Sequence, residues 1–245
     1  MSNRFIYFFL STTILVSIYI FMTPNLLSPS NITEFVLNCS LYIYDYLLLG
    51  IYILTKKNLG FPKKRIAYAV GYFILASYSY IETYVTLNDS DINIPLIYFG
   101  IHIGVRTLFL SVFCCIEPFK TAFKNINNYI IILAFALLFI GNQYFIIDQI
   151  EFKLGVLFEF ILYMIEALLI IYAINIKPLK SDTKIIFIVA ALFIFLSDFL
   201  ISQNIIFDYD MFAIDYNRVI NTLGELGVVY SFLELLRKNK SLVKK

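Results

Sequence analysis

Tryptophan is absent from this chain and histidine occurs once, at His102. Charge is also scarce. Asp, Glu, Lys and Arg make up 15% of the 245 residues, against 60% hydrophobic residues, where an ordinary soluble domain carries about 25% charged residues. So little charge on so apolar a chain excludes a soluble globular domain and implies an integral membrane protein. A single histidine excludes H-E-x-x-H zinc sites. Cys39, Cys114 and Cys115 all lie in apolar runs with neither metal-ligand spacing nor a disulfide framework, and read as small buried hydrophobes. No Gly-rich phosphate loop and no G-x-S-x-G occur, so neither a metal nor a cofactor is expected. Without tryptophan, tyrosine has to serve as the aromatic residue of the membrane interfaces. The net charge of +2 gives no nucleic-acid partner, because the basic residues are confined to short connections.

What is present is a series of apolar runs, each near the roughly 20 residues that a spanning helix needs. Eight are expected as transmembrane helices: residues 4–23, 35–54, 66–87, 96–116, 129–147, 154–176, 185–207 and 216–236. Stretches such as "TKKNLGFPKKR", "NDSDINIP" and "KPLKSDTK" separate them with the Pro, Asn, Asp and Lys that punctuate helices. All connections are short, which makes one polytopic membrane domain spanning 1–245. The first run lacks an A-x-A-like cleavage site and is too long for a signal peptide, so it reads as an anchor. Lys and Arg fall almost entirely in alternate connections, at Arg4, 55–65, 117–128, 177–184 and 237–245, whereas the opposite connections carry Glu34, Asp89, Asp91, Asp148, Glu151, Asp208, Asp210 and Asp215. The positive-inside rule then places both termini in the cytoplasm. Abundant Ile, Phe, Asn, Lys and Tyr match an AT-rich genome, and the expected location is a bacterial inner (plasma) membrane.

Against that apolar background the ionisable residues stand out. Asp45, Glu82, Glu159, Glu166, Asp198, Glu225, His102 and Arg106 all lie within expected spans. A charge at mid-bilayer costs roughly 2.5–3.5 kcal/mol on insertion scales, so each is a functional-site candidate. Given the alternating orientation, they fall in the middle or outer half of the membrane. Residues three, four and seven apart share a helix face. His102 and Arg106, Asp198 and Ser202, and Asn221 and Glu225 are i, i+4 pairs, while Glu159 and Glu166 are i, i+7. Each helix contributes a narrow polar stripe, which implies a shared polar cavity opening toward the outer leaflet. Competing structural readings assign Arg106 a bridge to Glu82 or Glu159, and Glu166 a neutral acid bonded to a backbone carbonyl.

The seventh run, "AALFIFLSDFLISQNIIF", resembles the YhhN-type lysoplasmalogenase family. That family has a Ser-Asp pair after an apolar Leu-Phe in its seventh helix and an apolar stretch ending in Phe; Leu192, Phe193, Ser197, Asp198 and Phe207 match it here, with Phe193 one place early. Glu82 stands near the family's third-helix Asp, His102 follows at the family's spacing, and Tyr98 precedes His102 by four residues. "SYSYIETY" replaces the family's Gly-Asp, Val105 stands where a Tyr is usual, and "NTLGELGVVY" replaces the last helix's Tyr-and-Gln pattern. The resemblance implies an eight-helix bundle that hydrolyses the vinyl-ether bond of a lysoplasmalogen-type lysophospholipid. Its carboxyl pair would be Asp198 and Glu82. Ser197, His102, Arg106, Asp45, Glu159 and Glu225 would orient that pair or bind substrate, with Arg106 suited to a lipid phosphate through its planar fork.

The same buried acids also fit a proton-coupled or small-molecule transporter, or a ligand-binding membrane sensor. No internal repeat is evident, and Gly and Pro are sparse within the runs, whereas many transporters are built on repeats and broken helices. No lysine sits inside the seventh or eighth run, which argues against a retinal-type Schiff base.

Overall fold

The structure is a computed structural model that describes residues 3–22, 32–87, 94–116, 126–146, 153–177, 179–207 and 212–243. For 3, 17–22, 32–42, 79–87, 94–96, 98, 143–146, 153–154, 201–207, 212–216, 218 and 241–243 the description is of the backbone alone. The side chains of Glu82, Tyr98, Ser202, Phe207 and Arg218 therefore lie outside the described residues. Among the described residues the secondary structure is entirely helical: α1 (Asn3–Met22), α2 (Ile32–Thr55), α3 (Pro62–Leu87), α4 (Ile94–Ile116), α5 (Ile126–Ile146), α6 (Lys153–Asn175), α7 (Ser181–Phe207) and α8 (Phe212–Val243), with one 3-10 turn at Lys57–Leu59.

Each helix coincides with an expected apolar run, and the breaks have local causes. Between α2 and α3, Gly60 takes a positive φ of 76° and Phe61 follows at 48°. Gly60 adopts that conformation freely; Phe61 does so against its Cβ sterics. Pro62 then opens α3, where its fixed φ suits the first helical position. Arg65 joins the end of α2 to the turn: its Nη1 donates to Leu54 O of α2 at 3.0 Å and its Nε donates to Gly60 O of the turn at 2.7 Å. Lys64 Nζ reaches the end of α4, donating to Cys115 O at 2.6 Å. Cations at helix C-termini also complement the macrodipole.

Helix neighbours follow a ring: α2 packs on α3, α3 on α4, α4 on α6, α6 on α7, α7 on α8 and α8 back on α2, with α4 also touching α8 across the middle. Helix α1 lies outside against α8 and α2, and α5 lies outside against α6. The α7–α8 seam is the most extensive of these together with α2–α3. It is close because of two glycines. A Cβ on Gly227 would stand 2.6 Å from Ala190 Cβ, and one on Gly224 would stand 3.0 Å from Ala190 O. Small residues permit such approach, which drives helix association in lipid. Phe5 of α1 stacks on Tyr52 of α2 with centroids 3.6 Å apart, and Lys240 of α8 donates to Asn58 O. The start of α1 and the end of α8 thus share one end of the bundle with the basic α2–α3 turn.

The outer surface is apolar. On α5 it exposes Ile126, Tyr129, Ile130, Leu133, Leu137, Leu138 and Ile140, and on α7 Ile185, Ile186, Val189, Leu192 and Leu196. Arg106, Glu166, Asp198 and Glu225 are instead buried inside. Phe99–Ile116, Gly155–Asn175, Ser181–Leu200 and Val219–Lys240 are long and apolar enough to cross a membrane. Apolar outside and charged inside is the inverse of a soluble domain and supports an integral membrane protein.

Candidate functional site

All six ring helices send a polar side chain toward the interior, and the centre is Arg106 of α4, whose side chain is 1% exposed. Its Nη1 donates to Glu225 Oε1 on α8, and its Nη2 lies 3.5 Å from Asp198 Oδ2 on α7. One turn earlier on α4, His102 Nδ1 stands 3.6 Å from Asp198 Oδ1. The i, i+4 spacing of His102 and Arg106 thus brings both onto one carboxylate. Tyr72 of α3 donates its hydroxyl to Glu225 Oε2 at 2.8 Å, so both oxygens of Glu225 are satisfied. Buried charges persist only when paired and hydrogen-bonded, and Glu225 meets that condition fully.

Glu166 of α6 is 1% exposed. Its carboxyl lies against that of Asp198 but outside hydrogen-bond geometry, and neither oxygen has a hydrogen-bond partner among the described residues. Three carboxyls therefore surround one guanidinium.

A second polar group adjoins the first on the α2–α8 side. Thr222 Oγ1 donates to Asp45 Oδ2 at 2.8 Å, and Tyr46 N donates to Asp45 Oδ1 at 3.0 Å. Asn221 Nδ2 donates to the Tyr46 hydroxyl at 2.7 Å, and the Tyr46 ring lies 6.4 Å from that of Tyr72. Ser197, fully buried, donates its hydroxyl to Asn217 O at 3.4 Å. It ties α7 to α8 next to Asp198 in the chain.

Toward the basic end, the polar centre rests on packed aromatic rings. Tyr68 stacks on Phe232 at 4.0 Å and meets Phe109 at 4.3 Å. Phe113 stacks on Phe187 at 4.9 Å. All five are buried. These side chains come from α3, α4, α7 and α8 and close the ring on that side.

The sequence-derived residues divide accordingly. Asp198, His102, Arg106 and Glu225 meet in one contact network, and Asp45 lies in the adjoining group. Glu159 goes elsewhere: it is 2% exposed and accepts a hydrogen bond from Asn142 Nδ2 of the outlying helix α5 at 3.0 Å. Arg106 bridges Asp198 and Glu225 rather than Glu159, and its Nε has no hydrogen-bond partner among the described residues. Glu82 lies one turn beyond Tyr78 on α3, and the Tyr78 ring meets His102 edge-on at 6.2 Å; the Glu82 side chain is outside the described residues. One member went unrecognised in the stripes, and another was recognised but given a different neighbour. Tyr72 reads in sequence as packing, although it follows Gly71 on the polar side of α3. Glu166 reads as an acid bonded to backbone, although it is Asp198 that it faces.

Among the described residues no group of three or more His, Cys, Asp or Glu is arranged to hold a metal ion. Cys114 and Cys115 are free thiols. No family model, no curated protein and no solved structure matches the chain.

Proposed function

We propose that the chain is an intramembrane hydrolase that cleaves the vinyl-ether bond of a lysoplasmalogen-type lysophospholipid. One observation carries this reading: a buried carboxylate, Asp198, is held by Arg106 and His102 with a second buried carboxyl beside it. Vinyl-ether hydrolysis needs those two parts. A proton goes to the β-carbon of the double bond, the π pair forms the new C–H bond, and an oxocarbenium ion results. Water adds to that ion and gives up a proton, and the hemiacetal collapses to an aldehyde and an alcohol. A neutral carboxyl acts as the acid, and a charged one stabilises the cation and orients water, as paired carboxylates do in glycoside hydrolysis. Arg106 and His102 fix Asp198 in the charged role. Tyr72 and Glu225 hold Arg106 in place.

The arrangement in the bilayer follows the charge pattern. Eight spans with both termini cytoplasmic, in a bacterial inner membrane, place the aromatic floor on the cytoplasmic side and open the polar centre toward the outer leaflet, where a single-chain lipid would enter.

The test is release of fatty aldehyde from a lysoplasmenyl lipid by the purified protein in detergent, beside Asp198→Asn. Activity in the parent and its loss by about 10²-fold or more in the variant is the expected result. A folded parent that releases no aldehyde across head groups overturns the reading. Proton-coupled transport is the second reading, favoured by the excess of buried acids over cations; substrate-driven proton uptake into sealed vesicles, without aldehyde release, is its signature.

A further inference from the structure

We propose that Glu166, rather than Glu82, is the acid of this site: a neutral carboxyl that carries its proton against charged Asp198 and delivers it to the bound molecule. The inference rests on the hydrolase reading for the identity of the acceptor, but not for the placement of the proton.

The charge balance comes first. Among the described residues Arg106 is the one guanidinium that meets Asp198, Glu225 and Glu166. Glu225 is fully engaged, with one oxygen on Arg106 and the other on Tyr72. Asp198 has Arg106 and His102. Glu166 is left with neither a cation nor a hydroxyl: both of its oxygens are buried and without a hydrogen-bond partner among the described residues. A charge in that position is the costly case, because an uncompensated buried ion forfeits several kcal/mol. A proton removes the charge and gives the carboxyl a donor.

The geometry then gives the donor a direction. The charged groups around Glu166 are Asp198 from α7, Arg106 from α4 and Glu225 from α8, and His102 of α4 contacts Asp198 in turn. Arg106 has both terminal nitrogens turned to the other two acids. The terminal torsion of Glu166 is soft for this residue type, so its O–H is free to turn toward the neighbouring Asp198. The two carboxyls then share one proton between α6 and α7. They resemble the dyads in which like charges a few ångströms apart do not both ionise.

In the reaction the Glu166 proton passes to the β-carbon of the substrate's double bond and leaves a Glu166 carboxylate. That carboxylate is discharged by the proton released when water adds to the oxocarbenium ion. One water is consumed, and the pair returns to its starting state without any other reactant.

Infrared spectroscopy of the purified protein tests this independently of turnover. A protonated carboxylic acid has a carbonyl stretch separate from that of carboxylate and amide. The expected result is such a band in the parent, lost in Glu166→Gln and retained at a shifted position in Glu166→Asp, which keeps the acid should the Gln variant fold poorly. A surface change, Glu234→Gln, leaves the band unmoved. A band that survives in Glu166→Gln, or that disappears in Glu82→Gln or Glu225→Gln instead, overturns the assignment, as does its absence from the parent. Where the parent releases aldehyde, Glu166→Gln is expected to lower the rate by roughly 10²–10⁴-fold, and an unchanged rate overturns the assignment. The band without any aldehyde release leaves the carboxyl pair standing and removes the hydrolase reading alone.

Discussion

Replacing Arg106 by methionine is the most demanding single test of the site. Arg106 and both of its partners have side chains 1% exposed. At an effective dielectric of about 20, two unit charges about 3.5 Å apart attract with about 5 kcal/mol before desolvation is counted. The net value of such a pair is far smaller, because all charges were taken out of water to form it. Removing one side only is different, since the surviving charges stay buried and uncompensated, at about 3–5 kcal/mol. Arg106→Met strands two carboxylates, Asp198 and Glu225, and retains a comparable apolar volume, so lost packing contributes little. For a chain of this length each kcal/mol corresponds to about 2–4 °C, which gives a fall in melting temperature of roughly 6–20 °C in detergent. The partners should then rank unequally. Glu225 makes a formed hydrogen bond with Arg106, whereas Asp198 sits at 3.5 Å, the outer limit of such contacts. Adding Glu225→Gln to Arg106→Met should recover more stability than adding Asp198→Asn, with a coupling energy toward the upper end of the usual 0.5–3 kcal/mol. A loss under about 1 kcal/mol for Arg106→Met, or strict additivity in both double variants, would refute the placement of Arg106 between the two acids.

Two further outcomes test the frame around the site. Gly227→Leu forces a branched side chain into a seam where even a Cβ would come within 2.6 Å of Ala190 Cβ; overpacking of this kind costs about 1–3 kcal/mol or more, and a melting temperature equal to the parent's would mean that α7 and α8 are not so close. For the orientation, single cysteines at Lys240→Cys and Asp89→Cys, in a chain otherwise stripped of Cys39, Cys114 and Cys115, should react oppositely with a membrane-impermeant thiol reagent in intact cells. Labelling of Asp89→Cys and protection of Lys240→Cys is expected, and the reverse pattern would invert the bundle in the membrane.

Hydropathy located the helices well because long apolar runs and the polar breaks between them are both plain in the sequence. It misjudged the ends where charge continues a helix rather than stopping it. The last run was expected to end at residue 236, yet α8 continues to Val243, since Arg and Lys are good helix formers and only their insertion is costly. The third run was expected from residue 66, whereas α3 begins at Pro62, four residues into the basic turn. Within the site, spacing correctly put His102 with Arg106 and Asn221 with Glu225 on shared faces. It could not say which helix stands opposite a face. That depends on the order of helices around the ring, and the order is not sequential: α4 packs on α6, while α5, which lies between them in sequence, is displaced to the outside. The displacement has a direct consequence for α6. Glu159 and Glu166 share its polar stripe, but the outlying α5 supplies Asn142 to one and α7 presents Asp198 to the other. Tyr72 was missed for a different reason, since one hydroxyl on an otherwise packed ring leaves no signal in a hydropathy pattern.

The composition of the polar centre bears on why it exists. A bundle held together by charge would balance its ions, and here, among the described residues, three acids meet one guanidinium. Such a cluster is a poor structural device: buried ion pairs exchanged together for well-packed apolar residues leave stability unchanged or improved in many cases, and the membrane adds an insertion cost for each. The α7–α8 seam is already closed by Gly224 and Gly227, and the basic end is closed by the stacked rings of Tyr68, Phe109, Phe113, Phe187 and Phe232. The fold thus has its packing elsewhere. What the charged centre adds is a carboxylate held by Arg106 and His102 and a second carboxyl that has no hydrogen-bond partner among the described residues. Those are requirements of chemistry on a proton, and they account for an aspartate in the middle of α7 better than any contribution Asp198 makes to holding the helices together.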